Sequence, residues 1–466
     1  PKAPARRGPP QTRHPRVDPG RRVAYEVLTA VEEQDAYANL VLPGLLRDRR
    51  LDTRDAALAT ELAYGVLRGQ GLLDPILAAC SSRPLDQVDP PLRRVLRLGA
   101  HQLLRTRIPA HAAVSATVDL ARTVTTAGPA AFANAVLRKV SERDLEAWLA
   151  RVAPDRGEDP VGHLAVVHSH PRWVVTAFRD ALGGDLVETE AALAADDARP
   201  HVHLAARPGR STRDELLEQV GEAGELGPFS PYAVRLTGGG DPRRVPAVGE
   251  GRAGVQDEGS QLTALALAAV PIDGDDRRWL DVCAGPGGKA TLLAGLAGER
   301  GAALLANEVQ PHRARLVVRG LAGSGTATMT VTADGRVPAW RDGAFDRVLV
   351  DAPCTGLGAL RRRPEARWRR QPSDLPGLTK LQRELLTAAL AAVRPGGVVA
   401  YVTCSPHLAE TRVPVLDVVR RGGAELLDAR AALPDGVPHL GDGPTVQLWP
   451  HRHGTDAMHL ALLRRH

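Results

Sequence analysis

The spacing of apolar positions changes character along the chain, and that change predicts its elements. Val23, Val27, Leu28 and Val31 recur at helical intervals, as do Leu58, Leu62, Val66 and Leu67, with Asp52 or Thr53 placed to cap the second run. Leu92, Val95, Leu96, Gly99 and Leu103 continue the spacing while Arg93, Arg94, Arg97 and Arg105 fall towards the opposite side. Residues 23–140 are therefore expected to form an all-α bundle with a basic face. Between residues 141 and 250 the signals weaken to helices near 172–182 and 212–220 and turns at Pro208-Gly209 and Gly238-Gly239-Gly240, which reads as a connecting subdomain. Residues 251–466 alternate expected strands at 279–283, 302–307, 326–332, 346–350 and 397–403 with helical stretches at 290–296, 310–319 and 378–393. That order predicts a doubly wound, Rossmann-like α/β sheet, with 446–449 and 458–463 adding a hairpin.

Composition narrows the class. A chain of 466 residues exceeds one typical core, so two or three domains are expected. Residues 1–22 mix Pro, Gly and Arg with almost no large apolar side chain and read as a mobile basic arm. The formal net charge of +6 favours a polyanionic partner, and lysine occurs only at Lys2, Lys139, Lys289 and Lys380, so the positive charge is nearly all arginine. Four cysteines without a CxxC pair argue against a metal site or a disulfide scaffold and for a reducing compartment. With no apolar run of spanning length and no apolar signal core, the expectation is a soluble, cytoplasmic protein that does not bind membranes.

Candidate chemistry gathers in the last third. Asp281-Val282-Cys283-Ala284-Gly285-Pro286-Gly287-Gly288-Lys289 breaks a strand into a glycine turn ahead of a helix, which leaves backbone N–H groups free to hold a ligand. The turn matches neither the GxxxxGK[ST] phosphate loop nor the GxGxxG dinucleotide fingerprint. Glu308 at the end of the next strand suits ribose hydroxyls, and Asp334 beyond the third suits an adenine amino group. Either acid alone would read as a solvated loop residue; together they favour a nucleoside cofactor without a phosphate chain, S-adenosylmethionine being the first choice. Cys354 in Asp351-Ala352-Pro353-Cys354 and Cys404 in Thr403-Cys404-Ser405 each follow an apolar strand, and a thiol at such a rim suits attack on an electron-poor carbon. Cys80 reads as a small buried hydrophobe and Cys283 as part of the turn rather than a reactive group. Residues 361–370 interleave arginine with Trp368, a mixture suited to gripping phosphate and stacking bases of single-stranded RNA.

These residues resemble the RNA cytosine-5 methyltransferases of the RsmB/Sun group. The resemblance rests on Gln256-Asp257-Glu258-Gly259-Ser260-Gln261, the 283–289 turn, Asp351-Ala352-Pro353-Cys354, Arg362-Arg363-Pro364-Glu365 with Trp368, Thr403-Cys404-Ser405 and Pro450-His451-Arg452-His453-Gly454-Thr455-Asp456. The helical part resembles a NusB-type RNA-binding domain through residues 109–114 and 132–138. The resemblance implies that Cys404 adds to C6 of a cytosine and that C5 is methylated from S-adenosylmethionine. Cys354 then assists release, and Asp351 hydrogen-bonds the base. It also implies a cofactor site lined by Cys283, Ala284, Gly285, Pro286, Gly287, Gly288, Lys289, Glu308, Asp334 and Asp351. The expected substrate is an unpaired loop cytosine of small-subunit 16S ribosomal RNA, methylated by a monomer without metal. Transfer RNA, another ribosomal site, or a vestigial methyltransferase serving as an assembly factor remain alternatives. Departures from the family pattern are Glu308 for aspartate, Gly285 for alanine, Thr411 after Glu410 for asparagine, and Ala457-Met458 for glycine and an aromatic.

Overall fold

The computed structural model describes residues 17–238, 240–337 and 339–466, so most of the stretch read as a mobile arm lies outside the described residues. The chain divides into two units: one runs to Arg172 and includes Arg363–Glu365, and the other comprises Trp173–Arg362 and Ala366–His466.

The first unit is all helix: α1 (Pro19–Glu33), α2 (Ala38–Asp48), α3 (Thr53–Cys80), α4 (Pro90–Arg105), α5 (Ala110–Val124), α6 (Ala127–Val140), α7 (Leu145–Val152) and α8 (Pro160–Val167). Its start corrects the arm boundary at residue 22. Pro19 opens α1 at a position where no N–H is needed, and the Asp18 side chain accepts from the Arg21 N–H. Composition hid that cap. The end of the bundle also lies beyond residue 140, because Trp148 of α7 is buried in the same core and its Nε1 donates to the Val140 carbonyl at 2.9 Å. Leu62, Leu72, Leu73, Ile76 and Leu77 of α3 meet Leu96 and Leu98 of α4 in that core, each at most 1% exposed.

The basic face expected on α4 is largely spent inside the bundle. Arg94 is 2% exposed and donates to Glu32 and Glu33 at 2.7 Å, and Arg97 grips the Asp74 carboxylate with two bonds of 2.7 Å. Arg93 also reaches Glu32. The acids come from α1 and α3, so a wheel of α4 alone could not reveal the pairing.

In the second unit β1 (Val202–Ala206), β2 (Gly224–Leu226), β3 (Ala233–Leu236) and β4 (Ala253–Val255) make a small antiparallel sheet in the order β2-β3-β1-β4. The larger sheet contains β5 (Arg278–Asp281), β6 (Ala303–Asn307), β7 (Thr328–Val331), β8 (Phe345–Asp351), β9 (Val393–Thr403), β10 (Ala424–Leu427), β11 (Val446–Gln447) and β12 (His459–Arg465). Its order is β10-β12-β9-β8-β5-β6-β7, with β11 paired to β12. Strands β5 to β9 pair in parallel and β12 runs antiparallel to β9 and β10. The expected hairpin forms between β11 and β12. The expectation of a doubly wound sheet holds, and the order reverses between β5 and β8. At such a switch point the strand ends diverge and leave a crevice for a ligand.

Candidate active site

Three strand ends define the site. Beyond β5, the Val282 N–H donates to Leu349 and the Ala284 N–H to Asn307, so the turn is still held by its neighbours as it leaves the sheet. Gly287 then takes φ +117°, a conformation that L side chains rarely adopt, and starts the helix Gly288–Gly298. Asn307, 1% exposed, donates to the Val282 and Ala333 carbonyls and accepts from the Ala333 N–H. It ties together the loops after β5, β6 and β7. The sequence reading marked Asn307 only as the end of a strand.

Glu308 is buried, with Oε2 accepting from the Gly285 N–H at 3.0 Å and Oε1 from the Gln310 N–H at 2.9 Å. A Cβ on Gly285 would collide with this carboxylate. Two departures from the family pattern therefore explain each other: the longer acid folds into the space that an alanine methyl would fill. Gly285→Ala is expected to cost about 1–3 kcal/mol of stability through overpacking. Adding Glu308→Asp should recover most of that loss. Chemical denaturation of the two single variants and the double variant measures the coupling, and simple additivity would show the pairing to be wrong.

Asp334 stands beyond β7, but its carboxylate pairs with Arg336 at 2.6 Å and accepts the Arg336 N–H, contacts that hold it below the usual carboxylate range. Receiving an adenine amino group there would require Arg336 to swing away. Asp281 is buried, with one oxygen accepting from the Cys283 N–H and the other unpartnered; burial first and the nearby Asp351 second push it up to about 8. Burial likewise raises the Cys283 thiol, which fits its reading as an unreactive member of the turn.

Lys289 joins the turn to β8, its Nζ lying 2.8 Å from Asp351 Oδ2. Burial opposes its charge, but the Asp351 carboxylate outweighs burial and holds the ammonium above its ordinary value, with a further contribution from Cys404. Beyond β8 and β9, the sulfurs of Cys354 and Cys404 lie 3.5 Å apart. The hydrogen bond with Cys404, followed by burial, raises the Cys354 thiol well above its ordinary value.

One residue holds both cysteine loops in place. Glu410, fully buried, accepts from the Thr355 N–H at 2.8 Å, the Thr355 hydroxyl at 2.5 Å, the Ser405 hydroxyl at 2.7 Å and Gln382 Nε2 at 3.2 Å. Thr355 follows Cys354 and Ser405 follows Cys404, so one carboxylate fixes the register of both thiols. The sequence offered only an isolated acid six positions after Cys404.

Three arginines of the arginine-rich segment are spent inside the protein. Arg361, 5% exposed, bonds Asp456, Asp257 and the Gly454 carbonyl, Arg362 bonds the same two aspartates, and fully buried Arg367 bonds Asp197. Burial alone would raise Asp257, but Arg362 and Arg361, with help from His203, hold it well below the carboxylate range. Asp257 also caps the helix Glu258–Ala269. The signature stretches near residues 257, 361 and 456 thus converge in one buried charge cluster that braces the chain just after Cys354. Their partners lie about a hundred residues away in sequence, which is why a local reading took the arginines for an RNA grip.

Comparisons with known proteins accord with this geometry. Residues 267–464 match the family model described as 16S rRNA methyltransferase RsmB/F, and residues 19–142 match the NusB family. The protein Rv1407 of Mycobacterium tuberculosis is 56% identical, over 98% of this chain and 99% of its own length. Ribosomal RNA small subunit methyltransferase B of Pseudomonas putida is 35% identical, over 90% of this chain and 93% of its own. The crystal structure of PH0851 shares the fold with a TM-score of 0.79 at 22% identity, covering 96% of this chain and 99% of its own.

Proposed function

Because the chain belongs to the RsmB/F family of 16S rRNA methyltransferases, we propose that it methylates C5 of a cytosine in small-subunit ribosomal RNA through a covalent Cys404 adduct. The observation that carries this reading is the pair of sulfurs 3.5 Å apart at the ends of β8 and β9, beside Asp351 and Lys289.

S-adenosylmethionine supplies an electrophilic methyl group. The residues present suit it: the glycine turn opens a helix at the switch point, Glu308 stands beside the turn, and one buried oxygen of Asp281 has no partner in the protein. Asp351 would lie at the end of the site nearest the base. Cys404 adds as thiolate to C6, and the displaced double-bond electrons make C5 nucleophilic towards the methyl group. After C5 gives its proton to water, the C5–H electron pair re-forms the C5=C6 bond and the S–C6 bond breaks, returning its electron pair to Cys404. Cys354, whose thiol keeps its proton 3.5 Å from Cys404, is suited to donate a hydrogen bond to the departing thiolate. Asp351, oriented by Lys289, is suited to hydrogen-bond the polar edge of the pyrimidine. A base must leave its stack to reach the thiol, which favours an unpaired substrate loop.

The test is transfer of label from radiolabelled S-adenosylmethionine to unmodified 16S rRNA, followed by bisulfite mapping. One or a few protected cytosines are expected. Tight RNA binding without transfer would favour an assembly factor, and transfer to transfer RNA alone would move the substrate elsewhere.

A further inference from the structure

We propose that the groove between α5 and α6 is a second RNA subsite, holding one or two unpaired nucleotides of the ribosomal RNA away from the reacting cytosine. The proposal rests on the reading of this chain as an rRNA methyltransferase and assigns the helical unit a specific contact surface.

The groove encloses about 870 Å³, within the range of sites that take small organic ligands. Its floor is apolar, with Val114 and Val118 from α5 facing Ala130 from α6. Around that floor stand His111, Asn134, Arg122 and Arg138, with His111 and the two arginines exposed. Arg122 donates to Asp119 at 2.8 Å, and Asp119 is the one acid lining the groove. Among the described residues no hydrogen-bond or ion-pair partner engages the side chains of His111, Asn134 or Arg138. An apolar floor with an amide, an imidazole and two guanidiniums at its edge matches a nucleotide: a base against aliphatic groups, its polar edge on Asn134, its phosphate on arginine.

A second observation points the same way. Of the four arginines on the expected basic face of α4, Arg93, Arg94 and Arg97 are consumed by Glu32, Glu33 and Asp74, which leaves only Arg105 exposed there. Most of that face is therefore closed to a polyanion, whereas Arg138, exposed on α6, lines the groove.

The experiment compares full-length Arg122→Gln/Arg138→Gln and Asn134→Ala with Arg47→Gln/Arg54→Gln, a control that removes the same charge from other exposed positions. Binding of in-vitro-transcribed, unmodified 16S rRNA is measured across a salt series, together with kcat and KM for methyl transfer. The groove double variant should flatten the dependence of log K on log salt by about 0.7 per cation removed. It should also raise KM for rRNA severalfold with kcat unchanged. Asn134→Ala should raise KM without altering the salt slope. Unchanged KM and slope, or an equal change in the control, overturns the subsite. Wild-type transfer on the same RNA keeps the two readings apart: if it fails while the groove variants still lose RNA, the catalytic reading falls and the subsite stands.

Discussion

A Cys354→Ala enzyme incubated with unmodified 16S rRNA and S-adenosylmethionine should accumulate a covalent protein–RNA species that survives a denaturing gel, whereas Cys404→Ala should give neither adduct nor methyl transfer. The asymmetry follows from the site. The two sulfurs share one hydrogen-bond contact at 3.5 Å, and that contact with burial holds the Cys354 thiol far above its ordinary value. A sulfur that keeps its proton cannot initiate attack, since the thiolate is the nucleophile. It can serve the later step, and removing it stalls the reaction after the S–C6 bond has formed. Loss of Cys404 removes the nucleophile itself, for which a fall in kcat of about a millionfold is the scale set by comparable deletions. An active Cys404→Ala protein, with no adduct from either variant, would refute the assignment.

Glu410→Ala is the second substitution expected to have a large effect. It would strip partners from the Thr355 N–H, two hydroxyls and the Gln382 amide at once, all of them buried. Unmade hydrogen bonds to a buried charged group cost about 1.5–3 kcal/mol each. Partial relaxation should bring the total to about 3–5 kcal/mol, the upper range for one substitution. Glu410→Gln keeps the shape and lets the hydroxyls rotate to accept from the new amide, so it should lose less stability. It should nonetheless lose kcat, with KM for the cofactor unchanged, because the two cysteine loops would no longer be fixed against one acceptor. Chemical denaturation with single-turnover methyl transfer measures both effects. Wild-type stability and rate in Glu410→Ala would show that the cysteine loops hold themselves.

What the sequence revealed and what it concealed divide along physical lines. Strands β8 and β9 were the most legible because parallel strands buried on both faces read as continuous apolar runs. The strand-end positions of Cys354, Cys404 and Asp351 followed from that pattern. The helices of the first unit were legible from their apolar spacing, but α1 began earlier than expected, since one capping aspartate and Pro19 outweighed a basic, apolar-poor stretch. Charged residues were where local reading failed. Arg94, Arg97, Arg361, Arg362 and Arg367 looked like solvated or RNA-facing cations, yet each meets an acid distant in the chain. Glu410 was missed for the same reason: burial of an acid is decided by its tertiary partners, which no period or spacing encodes.

The position of β12 in the large sheet has a consequence for synthesis. Residues 459–465 lie between β9 and β10, and the charge cluster that braces the Cys354 loop is completed by Asp456. These residues leave the ribosome after everything they pair with. Until they emerge, β9 has an open edge and the arginines at 361 and 362 lack one of their acids, so the nascent catalytic half has an exposed strand edge and a loosely held thiol loop. The helical unit, already complete by then, can fold while the cysteine loops are still unbraced. Translation order thus separates the folding of the helical unit from the completion of the cysteine site.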